Sequence, residues 1–183
     1  MATGFDFGGK FPLCFPFVFH NKRLKHVKVM AGSESYAVIG GEGFVGQAIV
    51  RLLEKQYPLS RIASLGPTQR RFDEKYRFFR TDVTDFTSIR DALDKSDCTT
   101  VFHTVSPHVD AGLELSHKVN VIGTENIVKA CIASERIRKL VFTSTVTVMY
   151  DAQALRNVDE RLPTCDESDD FYVKTKVALP TEW

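Results

Sequence analysis

The sequence has no Cys-x-x-Cys pair, no excess of either charge and no long apolar run, and each absence removes a class of protein. Its four cysteines, Cys14, Cys98, Cys131 and Cys165, are scattered, which argues against a metal site and for reduced structural thiols in an intracellular protein. With 24 basic and 23 acidic residues the net charge is +1, so there is no electrostatic case for nucleic acid or an anionic membrane. No apolar stretch reaches the ~20 residues of a membrane-spanning helix. The nearest, Phe11 to His20, is interrupted by Pro12 and Pro16, and Lys22, Arg23, Lys25 and Lys28 follow it instead of preceding it as in a signal peptide. Residues 1–33 are expected to be an irregular extension, with peripheral membrane contact through that run as the functional alternative. Met30-Ala-Gly-Ser-Glu-Ser reads like a start site, so residues 1–29 could be an addition upstream of the folding unit. A chain of 183 residues suits one domain with a sizeable core, here expected over 34–183.

What is present is a change of period. Tyr36 to Ile39 is a short apolar run of strand formers, whereas Phe44, Ala48, Ile49, Leu52 and Leu53 fall at helical spacing towards an end near Gln56. Gly40, Gly43 and Gly46 lie at the switch. In a βα unit such glycines allow the tight turn, the approach of a pyrophosphate to the backbone, and close packing of helix on strand. The unpaired amides that open the helix would face the anion.

Further strands are expected at Ser60–Leu65, Tyr76–Arg80, Thr99–Val105 and Lys139–Ser144, alternating with helices. One helix runs to Leu93, capped by Thr84 or Asp85. A long one, from about Gly112 to Ser134, has Gly123 in its middle, where glycine is unfavourable by about 1 kcal/mol and implies close backbone packing. The result is an α/β, doubly wound, Rossmann-like parallel sheet of about five strands. A site for NAD would place an acid roughly 20 residues beyond the glycines. Ser64 or Leu65 stands there, followed by Gly66-Pro67-Thr68-Gln69-Arg70-Arg71. With no carboxylate to repel a 2′-phosphate, and Arg70 or Arg71 to pair with one, the cofactor is NAD or NADP with the balance towards NADP, unless both arginines are solvated loop charges.

Chemistry is expected near the C-terminus. Tyr172 and Lys176, four apart, share one helix face. Moving a hydride from an alcohol carbon to a nicotinamide requires a group that takes the hydroxyl proton, and a phenol with pKa near 10 is a poor base at neutral pH. A neighbouring ammonium favours the phenolate. Tyr172 is thus the candidate acid/base, Lys176 its tuner and a ligand of the nicotinamide ribose, and Thr145 the hydroxyl that orients the substrate.

Taken in order, these segments resemble a known family. Ile39-Gly40-Gly41-Glu42-Gly43-Phe44-Val45-Gly46 resembles the TGGxGFxG turn of extended short-chain dehydrogenases/reductases, with Ile39 in place of Thr. Val101-Phe102-His103-Thr104-Val105-Ser106-Pro107 resembles the VFHxASP segment of 3β-hydroxysteroid dehydrogenases and sterol-4α-carboxylate 3-dehydrogenases, and Asn120 to Asn126 resembles NVxGTxN. Family members usually have Ser where Thr145 stands. Phe44 is then implied to line the cofactor site, Asp82 and Val83 to contact the adenine, and Asn120 to face the nicotinamide. Asp82 could equally be an ordinary turn residue. His103, a lone His in a buried strand, is expected to be a hydrogen-bonded core residue and not the base.

The resemblance implies oxidation of a 3β-hydroxyl of a sterol or steroid. On a 4α-carboxylated sterol this makes a β-keto acid that loses carbon dioxide. It also implies a cytoplasmic location, at the endoplasmic reticulum surface. Dihydroflavonol-reductase-like and nucleotide-sugar-epimerase-like relatives share the turn and the Tyr/Lys pair. The family continues past Trp183 with a substrate-binding region, so the sheet is expected to be incomplete, with Lys139–Ser144 as an unpaired edge. A catalytically incompetent NAD(P)-binding fragment is the competing expectation.

Overall fold

The computed structural model describes the backbone of residues 16–20, and residues 34–70, 75–108, 110–149, 163–164 and 170–177. Cys14, Arg71 and Cys165 lie outside the described residues. Tyr36–Ile39 forms β2, and all four of its residues are buried. A strand covered on both faces reads as a continuous apolar run, which is why this one shows no alternation. Ala37 and Ile39 point to one side, into a core with Ile89, Leu93, Ile127 and Leu140, while Val38 points to the other and packs with Val50 and Ile62. Helix α1 (Phe44–Leu53) supplies Val50 on the second face; α2 (Phe86–Ser96) and α4 (Gly123–Ala133) cover the first.

Strands β3 (Ile62–Gly66), β4 (Arg77–Arg80), β5 (Thr100–His103) and β6 (Lys139–Thr143) complete the five expected parallel strands. Their order is β6-β5-β2-β3-β4. Progress along the chain therefore reverses at β2, with β3 and β4 on one side and β5 and β6 on the other. In an open α/β sheet that switch point is where ligands bind. Helix α1 stops at Leu53 instead of Gln56, and Ser60 falls in a 3-10 turn, Leu59–Arg61, ahead of β3. Asp85, not Thr84, caps α2: its Oδ1 accepts from the amides of Thr87 at 2.8 Å and Ser88 at 3.3 Å.

Two departures are substantial. The long helix is interrupted: α3 (Leu113–Ser116) passes into a π-helical segment, His117–Ile122, before α4. Gly123 follows that segment, and a β-carbon there would stand 2.9 Å from Val83 Cγ2, so the close packing expected of it is with the turn after β4. The other departure concerns residues 16–20 of the expected irregular extension, and it corrects the expected unpaired edge. Pro16–His20 is a strand, β1, paired antiparallel with β6 in the register Pro16↔Thr143 to His20↔Lys139. Among the described residues the sheet thus has six strands, and β1 occupies the edge that was expected to be bare. Proline at the first position of an edge strand is tolerated because no ladder bond need be lost there.

A ladder hydrogen bond stabilises by about 0.5–1.5 kcal/mol net. Deleting residues 1–33 is expected to cost at least about 2 kcal/mol, a fall in Tm of about 4–8 °C for a chain of this size, and to expose β6 to pairing with another molecule. Calorimetry and light scattering on the deletion variant check both effects.

Candidate functional site

The turn after β2 is closed by backbone hydrogen bonds. Gly40 has φ +83°, its amide donates to Leu65 O at 2.8 Å, and Gly41 N donates back to Val38 O at 3.1 Å. Gly43 N donates to Gly40 O at 2.8 Å, and Gly43 is the N-cap of α1 in extended conformation. Gly46, in the first turn of that helix, lies against Gly40. A β-carbon on it would overlap Gly40 O and stand 2.7 Å from Gly40 C and 2.8 Å from Gly41 Cα. No side chain caps α1, and its first turn has no acid. Its opening amides are therefore left for an anion, and the positive end of the helix dipole lies there. The residues fit a dinucleotide diphosphate on this observation. Phe44, the first helical residue, is 87% exposed, so none of the described residues covers it.

On the β3–β4 side, Asp82 is exposed, and its Oδ1 accepts from both the amide and the hydroxyl of Thr84, at 2.9 and 2.8 Å. That is an Asx turn, so the turn-residue reading describes its present bonding. Val83 is buried under Gly123, and its carbonyl accepts from Asn126 Nδ2 at 3.0 Å. Ser64 and Leu65 are both buried, so neither offers a polar group beyond the end of β3. Glu42 does: its Oε2 accepts from Arg70 N at 2.9 Å across the gap between the glycine turn and the loop after β3.

On the β5–β6 side lies α5 (Phe171–Val177). Val173, Thr175 and Lys176 are buried and Tyr172 is half-buried. Lys176 Nζ stands 4.8 Å from the Phe142 ring centroid and 5.8 Å from that of Tyr172. Asn120, 1% exposed and inside the π segment, donates from Nδ2 to Thr175 Oγ1 at 3.0 Å, and Thr175 Oγ1 donates to Tyr172 O at 2.9 Å. Asn120 Oδ1 is buried and has no hydrogen-bond partner among the described residues. Thr145 opens the 3-10 turn Val146–Met149, which packs on α5; its Oγ1 is 3.0 Å from Thr147 Oγ1. The structure thus brings Tyr172, Lys176 and Asn120 together, with Thr145 at the neighbouring turn. The glycine turn stands at the switch point, with Asp82 and Val83 on the other flank.

His103 is fully buried, with Nε2 at 2.8 Å from Thr124 Oγ1. Its Nδ1 accepts from Val105 N at 3.3 Å, which places the neutral ring's proton on Nε2, donating to Thr124. Burial, and secondarily the nearby charge of Lys176, lower its pKa to about 3. It is a core residue. Sequence reasoning missed Glu42 and Thr175, whose partners lie 28 and 55 positions away. Only the variable position of the glycine turn and the residue before Lys176 could have flagged them.

A glycine-turn βα unit at the switch point of a parallel sheet, with a Tyr/Lys helix on the far flank, defines a Rossmann fold of short-chain dehydrogenase/reductase type. The model of the 3-beta hydroxysteroid dehydrogenase/isomerase family matches residues 37–179, and the chain belongs to that family. It is 34% identical over 143 residues to the human protein named sterol-4-alpha-carboxylate 3-dehydrogenase, decarboxylating, covering 76% of this chain and 36% of that one. Over 141 residues it is 32% identical to short-chain dehydrogenase/reductase family 42E member 1 of Danio rerio, covering 75% and 36% of the two chains. The chain spans about a third of the length of these relatives. Among solved structures it is similar to UDP-glucose 4-epimerase of Thermus thermophilus in complex with NAD, with TM-score 0.65 and 27% identity over 79% of this chain and 48% of that one.

Gly46→Ala is expected to abolish measurable NADH binding and to destabilise the fold by about 1–3 kcal/mol, because its neighbours are backbone and cannot rotate away. Fluorescence titration and urea unfolding measure the two. His103 supplies a pH test. The unfolded state binds a proton below its ordinary pKa of 6.5, whereas the folded protein resists until about 3, so stability is lost as pH falls through that window. Between pH 7 and 5, His103→Gln should lose about 2 kcal/mol less stability than the parent in urea unfolding.

Proposed function

We propose that the protein serves NAD(P)-dependent oxidation of the 3β-hydroxyl of a sterol or steroid, with 4α-carboxylated sterols within its substrate class. The observation that supports this best is Lys176 Nζ at 5.8 Å from the Tyr172 ring, in a helix tied to Asn120 through Thr175. The names of the relatives supply the substrate class. The glycine turn and the opening amides of α1 would hold the dinucleotide diphosphate. A nicotinamide held there would supply the acceptor for the hydride that leaves the carbinol carbon.

The chain's own residues handle the proton. Tyr172 Oη, as phenolate, takes the proton of the substrate hydroxyl as the carbon–hydrogen bond breaks. Lys176 stabilises the negative charge on that oxygen before the transfer and would bind the nicotinamide ribose. Thr145 Oγ1 donates to the substrate oxygen and fixes its direction, and Asn120, whose Oδ1 has no described partner, orders the region beside α5. At the adenosine end, exposed Arg70 offers a cation that favours a 2′-phosphate, and Glu42 opposes it. A sterol dissolves in membranes, so a cytoplasmic protein working at the endoplasmic reticulum surface is the matching location. Peripheral contact suits the described residues, among which no helix is long and apolar enough to cross a membrane.

The test pairs binding with turnover. Tyr172→Phe should lower kcat on a 3β-hydroxysterol by at least about 100-fold while leaving NADH affinity within about twofold. Unchanged turnover in Tyr172→Phe would sink the proposed base. Saturable binding of NADH by the parent, with no oxidation of any 3β-hydroxysterol, would replace the reading with that of a cofactor-binding chain.

A further inference from the structure

We propose that Glu42, held by the Arg70 amide, is the carboxylate that selects NAD(H) over NADP(H) in this protein. The inference rests on the cofactor reading of the glycine turn and deepens it. In a dinucleotide fold the group that receives the adenosine ribose stands at the end of the strand beside the glycine strand. Here that strand is β3, parallel to β2 with Ile39 opposite Leu65. It ends in Ser64, Leu65 and Gly66, all three of which are buried and none of which is acidic. Strand and turn are level, because Gly40 N donates to Leu65 O at 2.8 Å.

Glu42 enters that place from the other side. It is the residue between Gly41 and Gly43, inside the turn itself, and its side chain spans to the loop after β3, where Oε2 accepts from Arg70 N at 2.9 Å. The carboxylate is therefore fixed between the phosphate cradle and the end of β3. The ionised carboxylate is an acceptor only, and each of its oxygens can accept more than one hydrogen bond. A ribose with free hydroxyls donates to such a group. A 2′-phosphate, with a charge of about −1.5 to −2 and acceptors only, is repelled by it. Arg70 would pull the other way, yet its side chain is exposed to solvent and screened, while Glu42 is half-buried and positioned by a backbone donor.

Fluorescence titration of the full chain with NADH and with NADPH tests the assignment without turnover. The parent is expected to bind NADH at least about tenfold more tightly than NADPH. Glu42→Gln retains an acceptor for the Arg70 amide and loses the charge, so it should raise NADPH affinity about tenfold and weaken NADH by no more than a few-fold. Competition gives a second readout on the unaltered protein: 5′-AMP should displace NADH at lower concentration than 2′,5′-ADP. A parent that prefers NADPH, or a preference that does not move in folded Glu42→Gln, overturns the role of Glu42 and leaves the cofactor reading standing. Binding of neither nucleotide by the parent overturns the cofactor reading and this assignment with it.

Discussion

The contact between Gly46 and the carbonyl of Gly40 sets the geometry from which the rest of the structure follows. It lets the first turn of α1 fold back against the end of β2, a closeness that any β-carbon on Gly46 would prevent. The left-handed φ of Gly40 sends the chain out of the strand in the direction this requires, and its amide binds the turn to Leu65 at the same moment. Sequence chemistry, local conformation and function meet here: the glycines let the turn close on its own backbone, the turn presents uncapped amides, and uncapped amides bind anions. Because β2 is the strand at which the sheet order reverses, the uncapped start of α1 opens between two flanks. One holds Asp82, Val83 and Glu42, and the other holds the Tyr172 helix.

The second flank is anchored by a different device. Helix α5 is seven residues long, too short to persist on propensity. It is held by burial of Val173, Thr175 and Lys176 and by the bond from Asn120 to Thr175. Asn120 itself sits in the π-helical stretch, where an extra residue per turn shifts side-chain directions relative to a regular helix. The direction of Tyr172 is thus coupled through Thr175 to an irregularity in another helix. That irregularity adjoins Gly123, whose missing side chain admits Val83 from the opposite flank. Packing on the Val83 flank and packing on the Tyr172 flank share one helix.

Legibility in the sequence followed range. Strand Tyr36–Ile39, the glycine turn and a helix cap at Thr84 or Asp85 are written in short stretches of chain and could be read directly, although the choice of Asp85 came from its bonds to Thr87 and Ser88. The π segment has no compositional mark and was invisible. Strand β1 was missed because Pro12 and Pro16 read as breakers and its partner, β6, begins more than a hundred residues further on. Phe17, Val18 and Phe19, all strand formers just after a proline allowed at an edge, were the available signal. Of the site, Tyr172 and Lys176 were legible as one helical face, whereas Glu42 was legible only as the variable position of a motif. Its bond to Arg70 depends on β2 and β3 being level, which is a property of the sheet.

Charge distribution around β5 explains why the buried lysine is tolerated. His103 and Lys176 lie in the same apolar region, close enough for the charge of Lys176 to push down the pKa of His103. Two cations there would repel each other with little solvent to screen them. The hydrogen bonds decide which group gives way: Val105 donates to His103 Nδ1 and Thr124 receives from Nε2, and that pattern requires the neutral ring. Lys176, by contrast, meets the faces of Phe142 and Tyr172, and ring faces attract cations. A neutral His103 thereby leaves the positive charge of this region on Lys176, beside the phenol to which the proposed chemistry assigns the proton. The histidine that the sequence offers as a tempting base contributes to the site by remaining uncharged.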